Sequence, residues 1–366
     1  MQDLPNINLQ RGFPGDDIIK SSKGETIGSE IKLQDINRNV CAFNFSEQST
    51  SLSLAEYRNR FFMSNDPSIL LKFYSKFSSG EEIIQWMRER PKGATYIHEF
   101  EGNKDVVVVI PTADVNGAYA KNCAESVFKS LHIIFVESAE IGDLYFNYAH
   151  NVNAGVIKAL TYNPRFIIIS NDDVYSIEPI ENLIMEINKF DMHKIDGIFI
   201  TESPHHSVLS ELAKPRIFRK LLHYLYPNVM FRYLIALEER FNVKFLSVAK
   251  STLFGLLFFQ RGYRFLQGMD FFIVSSNYAK LYEGKLLDET FVNAYEDVDL
   301  SLRLSFHPDR LGRVNYKIGD YYGKSLGKIT NRMLRDFAGE VYINYKITHE
   351  YSKQLHSFLY QESDRK

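Results

Sequence analysis

The spacing of apolar and polar residues along the chain changes character near residue 104. Upstream, a polar stretch rich in Gly, Asp, Ser and Lys leads into two short helix-like segments, around 53 to 74 and 81 to 89. Then Glu101-Gly102-Asn103-Lys104-Asp105 gives way to Val106-Val107-Val108-Val109-Ile110, a β-branched run with no polar alternation. Runs of this kind belong to strands buried on both faces of a parallel sheet. From there strands and helices alternate. The pattern predicts a helix near 118 to 130, a strand at His132 to Val136, a helix near 147 to 160, and a strand at Phe166 to Ser170. A helix from Pro179 to about Phe190 and a strand at Gly197 to Ile200 follow. Alternation at this spacing predicts an α/β fold: right-handed βαβ units in a Rossmann-like, mainly parallel central sheet with helices on both faces. An N-terminal extension over 1–103 precedes this core, and a C-terminal helical tail over 346–366 follows it.

Ligands of such sheets sit beyond the carboxyl ends of the strands, so the residues directly after each predicted strand carry the first chemical information. The first strand ends in Pro111-Thr112-Ala113-Asp114, the second in Glu137-Ser138 and the third in Asn171-Asp172-Asp173. Two adjacent acids after a buried strand suit a hard divalent cation that also holds substrate phosphates, Mn²⁺ or Mg²⁺. The same Asn-Asp-Asp cluster is also ordinary turn and capping chemistry. A second acidic set follows at Asp288-Glu289 and Glu296-Asp297-Val298-Asp299. The apolar positions 298, 300, 302 and 304 do not predict a clean amphipathic helix there. Glu296 and Asp297 can cap a helix, a contribution of under about 1 kcal/mol each. A carboxylate set against an incoming hydroxyl is instead a general base, accelerating proton transfer by about 10² to 10⁴.

Composition narrows the partners. Among 366 residues, 43 Lys and Arg oppose 45 Asp and Glu for a net charge of -2, which disfavours nucleic acid as a ligand. Only two cysteines occur, Cys41 and Cys123, too few for a disulfide framework or a Cys-based zinc site, so a reducing compartment is expected. The opening MQDLPNINLQ lacks the features of a signal peptide, and no stretch approaches about 18 uninterrupted apolar residues. A cytoplasmic location is the expectation.

Aromatic residues make up 14% of the chain. Some concentrate in a basic segment within 204–265, from Pro215-Arg216-Ile217-Phe218-Arg219-Lys220 through Tyr226 to Tyr233-Leu234. Helical spacing puts Phe218, Leu221, Leu222 and Leu225 on one side. Such a stripe packs on the core or on a partner subunit, which leaves a homodimer open, or it rests at a membrane surface as a peripheral contact. His205-His206 reads as a loop pair, because adjacent side chains point apart. Ser251 to Gln260 reads as a core strand.

Together, Val-Val-Val-Val-Ile-Pro-Thr, Ile-Ile-Ile-Ser-Asn-Asp-Asp-Val, Asp288-Glu289 and Glu296-Asp297-Val298-Asp299-Leu300 with Arg303 resemble the family 2 glycosyltransferases of GT-A fold. The resemblance spans roughly 104–345 and includes Asn153-Ala154-Gly155, which is similar to the family's Asn-X-Gly segment. It implies a nucleotide-sugar half at 104–203, the aromatic and basic insertion at 204–265, and an acceptor half at 266–345. Pro111, Thr112, Asp114, Glu137, Asn153 and Asp172 would then bind the nucleotide sugar, with Glu137 in the place of a base-recognising Asp. Asp173 would ligate the metal and Asp297 would be the general base, with Asp288, Glu289 and Glu296 on the acceptor side. The implied reaction is inverting transfer of a sugar from a nucleotide-diphosphate donor to a saccharide, lipid-linked or protein acceptor. The sequence departs from the pattern in three places. Ala113-Asp114 lacks the usual aromatic ring, Glu137 is one methylene longer than Asp, and Tyr321-Tyr322-Gly323-Lys324-Ser325 has no histidine. There Lys324 is the candidate phosphate contact. Rival readings are a catalytically silent carbohydrate-binding or scaffold protein of the same fold, and a sugar nucleotidyltransferase. The latter needs a Gly-rich phosphate loop, and residues 111–117 contain one glycine.

Overall fold

The computed structural model describes residues 67–138, 145–202, 229–243, 271–321, 332–351 and 354. Lys324, the His205-His206 pair, the 251–260 run, most of the aromatic and basic insertion and residues 1–66 lie outside them. The strands are β1 (Thr95–Phe100), β2 (Asn103–Thr112), β3 (Leu131–Ser138), β4 (Phe166–Ser170), β5 (Val174–Ser176), β6 (Gly197–Glu202), β7 (Phe271–Ser275) and β8 (Leu311–Asp320). The helices are α1 (Pro67–Tyr74), α2 (Gly80–Glu89), α3 (Ala118–Asn122), α4 (Tyr148–Leu160), α5 (Ile180–Ile187), α6 (Val229–Arg240), α7 (Ser276–Leu281), α8 (Glu296–Ser305) and α9 (Arg332–Tyr345). Single π-type turns extend α3 over Cys123–Val127 and α9 over Lys346–Glu350.

The sheet order is β1-β3-β2-β4-β7-β6-β8-β5. Strands β2, β3, β4, β6 and β8 run one way, while β1, β5 and β7 run the other. Five of the eight strands thus share one direction, in keeping with the expected α/β sheet, and the sheet is mixed through β1, β5 and β7, the last reversed between β4 and β6. The sheet also starts earlier than residue 104, because β1 pairs antiparallel with β3 from Thr95 onward.

The central run of β2 explains the two layers around it. Residues 106–110 are at most 1% exposed, and their side chains alternate between faces. Val106, Val108 and Ile110 pack with the α3 turn and with Ile180, Leu183 and Ile187 of α5. Val107 and Val109 pack with Ala149, Val152, Val156 and Ala159 of α4, and with Tyr278 and Ala279 of α7. Gly155 lets α4 sit close: a Cβ there would lie 2.3 Å from Val109 Cγ1 and 2.8 Å from Val136 Cγ2.

A third core is helical. Leu70, Phe73 and Tyr74 of α1, Ile83, Trp86 and Met87 of α2, Leu234 and Leu237 of α6, and Leu334, Phe337 and Val341 of α9 form it. Its rings meet edge to face, with Phe73 and Trp86 centroids 4.8 Å apart and Tyr74 and Phe337 5.2 Å apart. Tyr74 donates its hydroxyl proton to Leu334 O at 2.6 Å and accepts from Ala338 N at 3.1 Å. The helices before residue 90 are therefore welded to the C-terminal helix. Leu234, at the end of the 215–235 stripe, is buried in this core.

Helix α8 lies between the helical core and the sheet, which is why its apolar positions show no single amphipathic face. Val298 and Leu302 pack into the helical core, whereas Leu300 and Leu304 pack on the sheet face. A step of two residues turns a helix by about 200°, so strict alternation here records two buried sides rather than a strand. No helix among the described residues is long and apolar enough to cross a membrane.

Candidate active site

The carboxyl ends of β2, β3 and β4 form one rim, as predicted for parallel neighbours. Pro111 is buried at the end of β2, opposite Val136. Thr112 donates its hydroxyl proton to Asp172 Oδ2 at 2.8 Å, which ties the end of β2 to the acid pair after β4. Asp172 and Asp173 are 6% and 2% exposed. The Asp172 carbonyl accepts from Cys123 Sγ at 3.2 Å, and the Asp173 carbonyl accepts from Tyr321 N at 2.9 Å. Burial, and then the charges of Asp172 and Asp173, push the Cys123 thiol far above its ordinary value, so it stays protonated. Asp114 is exposed and builds the adjoining turn: its Oδ1 accepts from Asn116 N at 2.9 Å and its carbonyl from Gly117 N at 3.0 Å. Glu137 accepts from Val115 N at 3.0 Å and pairs with His98 Nε2 at 2.8 Å.

The N-terminus of α4 reaches the same rim and connects it to the second acidic set. Asn147 caps α4 through His150 N at 2.8 Å, while its amide donates to Glu289 O at 3.0 Å and Phe291 O at 2.9 Å. Tyr148 donates its hydroxyl proton to Asn171 Oδ1 at 3.1 Å and its backbone N–H to Asn293 Oδ1 at 2.7 Å. Asn153 is 1% exposed. Its amide donates to Leu287 O at 2.9 Å and Glu289 Oε1 at 3.0 Å, and its Oδ1 accepts from Leu287 N at 3.0 Å. Sequence reading set Asn153 on the donor sugar; the structure has it bracing the 287–289 loop. Glu289 also faces His150, with Oε2 3.1 Å from Nδ1.

Asp288 and Asp299 anchor this loop and α8 from behind. Asp288 Oδ2 accepts from Tyr342 Oη at 2.8 Å and Lys346 Nζ at 2.7 Å, and its Oδ1 accepts from Thr290 N at 2.9 Å. Lys346 also reaches Asp299 Oδ1 at 2.8 Å, and Arg303 Nε meets Asp299 Oδ2 at 3.1 Å. Tyr351 donates to Asp299 Oδ1 as well. Burial would raise the Asp288 carboxyl, but the Lys346 charge and the surrounding donors outweigh it and hold it at about 2. Lys346 is raised: burial alone would lower it, and the two carboxylates more than offset that.

These supports present Glu296 and Asp297 at the start of α8, where the helix dipole favours anions. Glu296 is buried and Asp297 half-buried, its Oδ1 accepting from Val298 N at 2.8 Å. The backbone before them is strained: Asn293 has φ 55° and Tyr295 φ 72°, left-handed values for residues with a Cβ. Each costs roughly 1–3 kcal/mol and persists only where the surroundings dictate it. Here Asn293 is held by Tyr148 N and Phe146 O, and α9 presses on the turn at Gly339.

Asp172 and Asp173 offer two hard oxygen donors, a set that Mg²⁺ or Mn²⁺ accepts when substrate phosphates and water fill its other positions. No group of three or more His, Cys, Asp or Glu side chains among the described residues is arranged to hold a metal on its own. Sequence reading missed His98, Tyr148, Asn293 and Lys346. Only Lys346 left a chemical signal, since an acid buried on an apolar helix, as Asp299 is, requires a cation. No family model, curated protein or solved structure matches the chain.

Proposed function

We propose that this protein is an inverting glycosyltransferase of GT-A type, which moves a sugar from a nucleotide-diphosphate donor to a hydroxyl of a saccharide, lipid-linked or protein acceptor. The observation that carries the reading is the pair of hydrogen bonds by which Tyr148 ties the first acid set to the turn before the second. The link runs from the Asn171-Asp172-Asp173 rim through Tyr148 to Asn293, and so to the strained turn that presents Glu296 and Asp297. Paired acids at a strand rim suit a sugar diphosphate, and a carboxylate at a helix start suits proton abstraction. A link fixing one against the other supplies the positioning that transfer between two substrates needs.

In this reading Thr112 and Asp172 meet the nucleotide, and Asp173 with Asp172 would hold Mg²⁺ or Mn²⁺, which would supply Lewis-acid stabilisation of charge on the departing diphosphate. Asp297 accepts the acceptor hydroxyl proton as the oxygen attacks the anomeric carbon from the face opposite the leaving group. The oxygen–carbon bond forms, the carbon–phosphate-oxygen bond breaks, and the anomeric configuration inverts. Glu296 and Glu289 line the acceptor side, whereas Asp288 anchors the loop through Lys346.

Isothermal titration of a panel of nucleotide sugars, with and without Mn²⁺, tests the donor half. The wild type is expected to bind one of them in a Mn²⁺-dependent manner, and Asp173→Ala to lose that dependence. A wild type that binds none, or an Asp173→Ala protein with unchanged Mn²⁺ dependence, overturns the reading.

A further inference from the structure

The two helices before residue 90, to which no motif gives a role, bond the C-terminal helix through a side-chain hydroxyl. Tyr74, at the end of α1, is fully buried. Its hydroxyl donates to Leu334 O at 2.6 Å and accepts from Ala338 N at 3.1 Å. Leu334 and Ala338 stand four residues apart on α9, the carbonyl and N–H that face each other across one turn of a regular helix. Both ends of that rung thus meet the same side chain, and a group set at a rung governs the local course of a helix. Burial lifts the Tyr74 phenol well above its ordinary value, so it remains a hydroxyl that donates and accepts at once.

The next residue of α9 is Gly339. A Cβ there would lie 2.8 Å from Ala294 O and 2.9 Å from a Tyr295 ring carbon, so the helix backbone rests on the turn before α8. Tyr295 has φ 72°, and its carbonyl accepts from Asp299 N at 3.0 Å as α8 begins. Asp297 follows two residues on. A left-handed residue with a Cβ keeps its conformation only where the surroundings hold it, and Gly339 is part of that hold. On its other side α9 meets α1 and α2. A Cβ at Gly80 would lie 3.2 Å from Val341 Cγ1, and the Arg88 guanidinium is 5.8 Å from the centre of the Tyr342 ring. Helix α9 therefore stands between the α1–α2 pair and the second acid set.

We infer that Tyr74 is a positioning residue for Asp297: through the 334–338 rung of α9 it seats Gly339 on the Ala294-Tyr295 turn and so fixes the carboxylate at the start of α8. In the transferase reading, on which this rests, residues 67–90 belong to the proton-transfer machinery rather than to a separate extension. A general base tolerates little displacement, since an error of about 1 Å can cost about 10² in rate. Deleting one hydroxyl on α1 acts on that placement from a helix that carries none of the donor residues.

The full-length Tyr74→Phe variant keeps the ring and loses only the hydroxyl. Its control is Phe73→Leu, which loosens the same aromatic core at the Trp86 contact and removes no hydrogen bond to α9. Two readouts are taken at a temperature where every variant is folded: diphosphate release from a panel of nucleotide sugars with Mn²⁺, and amide hydrogen exchange. Tyr74→Phe is expected to keep the donor KM and lower kcat about tenfold. It should also speed exchange at amides 294–299 about tenfold while 106–110 stay protected. Phe73→Leu should leave both readouts at wild-type values. Gly339→Ala reaches the same turn from α9 and should reproduce both changes, so the test does not hang on the folding of one variant. Wild-type kcat, or wild-type exchange at 294–299, in Tyr74→Phe and Gly339→Ala refutes the inference while the transferase reading stands. Equal slowing by Phe73→Leu refutes it too, because general loosening of the core would then explain the loss. A wild type that turns over no donor overturns the transferase reading, and exchange at 294–299 then decides alone whether Tyr74 fixes the turn.

Discussion

Replacing Lys346 with methionine removes the cation shared by the half-buried Asp288 and the buried Asp299 while keeping most of the side-chain volume. Lys346 is 5% exposed and Asp299 is fully buried, with Nζ 2.7 Å from Asp288 Oδ2 and 2.8 Å from Asp299 Oδ1. Breaking a buried pair by deleting one partner typically costs about 3–5 kcal/mol, mostly for the charge left behind. Arg303 still faces Asp299, and Tyr342 still donates to Asp288. The low end, about 3 kcal/mol, is therefore expected. Urea denaturation read by tryptophan fluorescence suits the question, because Trp86 is buried in the helical core that Lys346 closes. The midpoint should fall with little change in slope. Adding Asp299→Asn to Lys346→Met should return about 1 kcal/mol or more, since it removes a buried charge that has lost one of its two cationic partners. A loss below about 1 kcal/mol for Lys346→Met, or strict additivity in the double variant, would refute the claim that the network carries stability.

Three further outcomes follow from the same geometry. Asp288 titrates near 2 in the folded protein against 3.8 in an unfolded chain. Its contribution, roughly 2 kcal/mol, is thus complete above pH 4 and lost as pH falls toward 2; acid titration of stability should show this loss in the wild type and not in Asp288→Asn. A Cβ at Gly339 would lie 2.8 Å from Ala294 O and 2.9 Å from a Tyr295 ring carbon, so Gly339→Ala should cost about 1–3 kcal/mol in thermal unfolding. Asn153→Ala strips the buried Leu287 N–H and C=O of their partner, and denaturant titration should register about 1–3 kcal/mol for each group left unsatisfied.

What was legible in the sequence was local. The runs at 106–110 and 166–170 announce their strands because residues covered on both faces leave no polar alternation to confuse the period. The acid pair at 172–173 was legible for the same reason, as it follows such a run directly. Strand β1 was not, since TYIHEF is largely exposed and shows no hydrophobic face. Helix α8 shows no clean amphipathic face in the sequence because it is buried on two sides, and β7 lies reversed between β4 and β6 through pairings with no local signature. The candidate site divides similarly: Thr112, Asp172 and Asp173 stand where the strand ends imply. Asp288 and Asn153 proved to be braces, because Lys346 and the 287–289 loop reach them only in the folded chain.

Diphosphate release from nucleotide sugars in the presence of Mn²⁺, compared between wild type and Asp297→Asn, reads the proposed transfer by Asp297 on a donor held at Asp172 and Asp173. The wild type is expected to turn over, and Asp297→Asn to bind the same donor with equal affinity but release diphosphate more slowly by about 10² or more. Turnover by Asp297→Asn at the wild-type rate, or no release from any donor that the wild type binds, would contradict that role of Asp297.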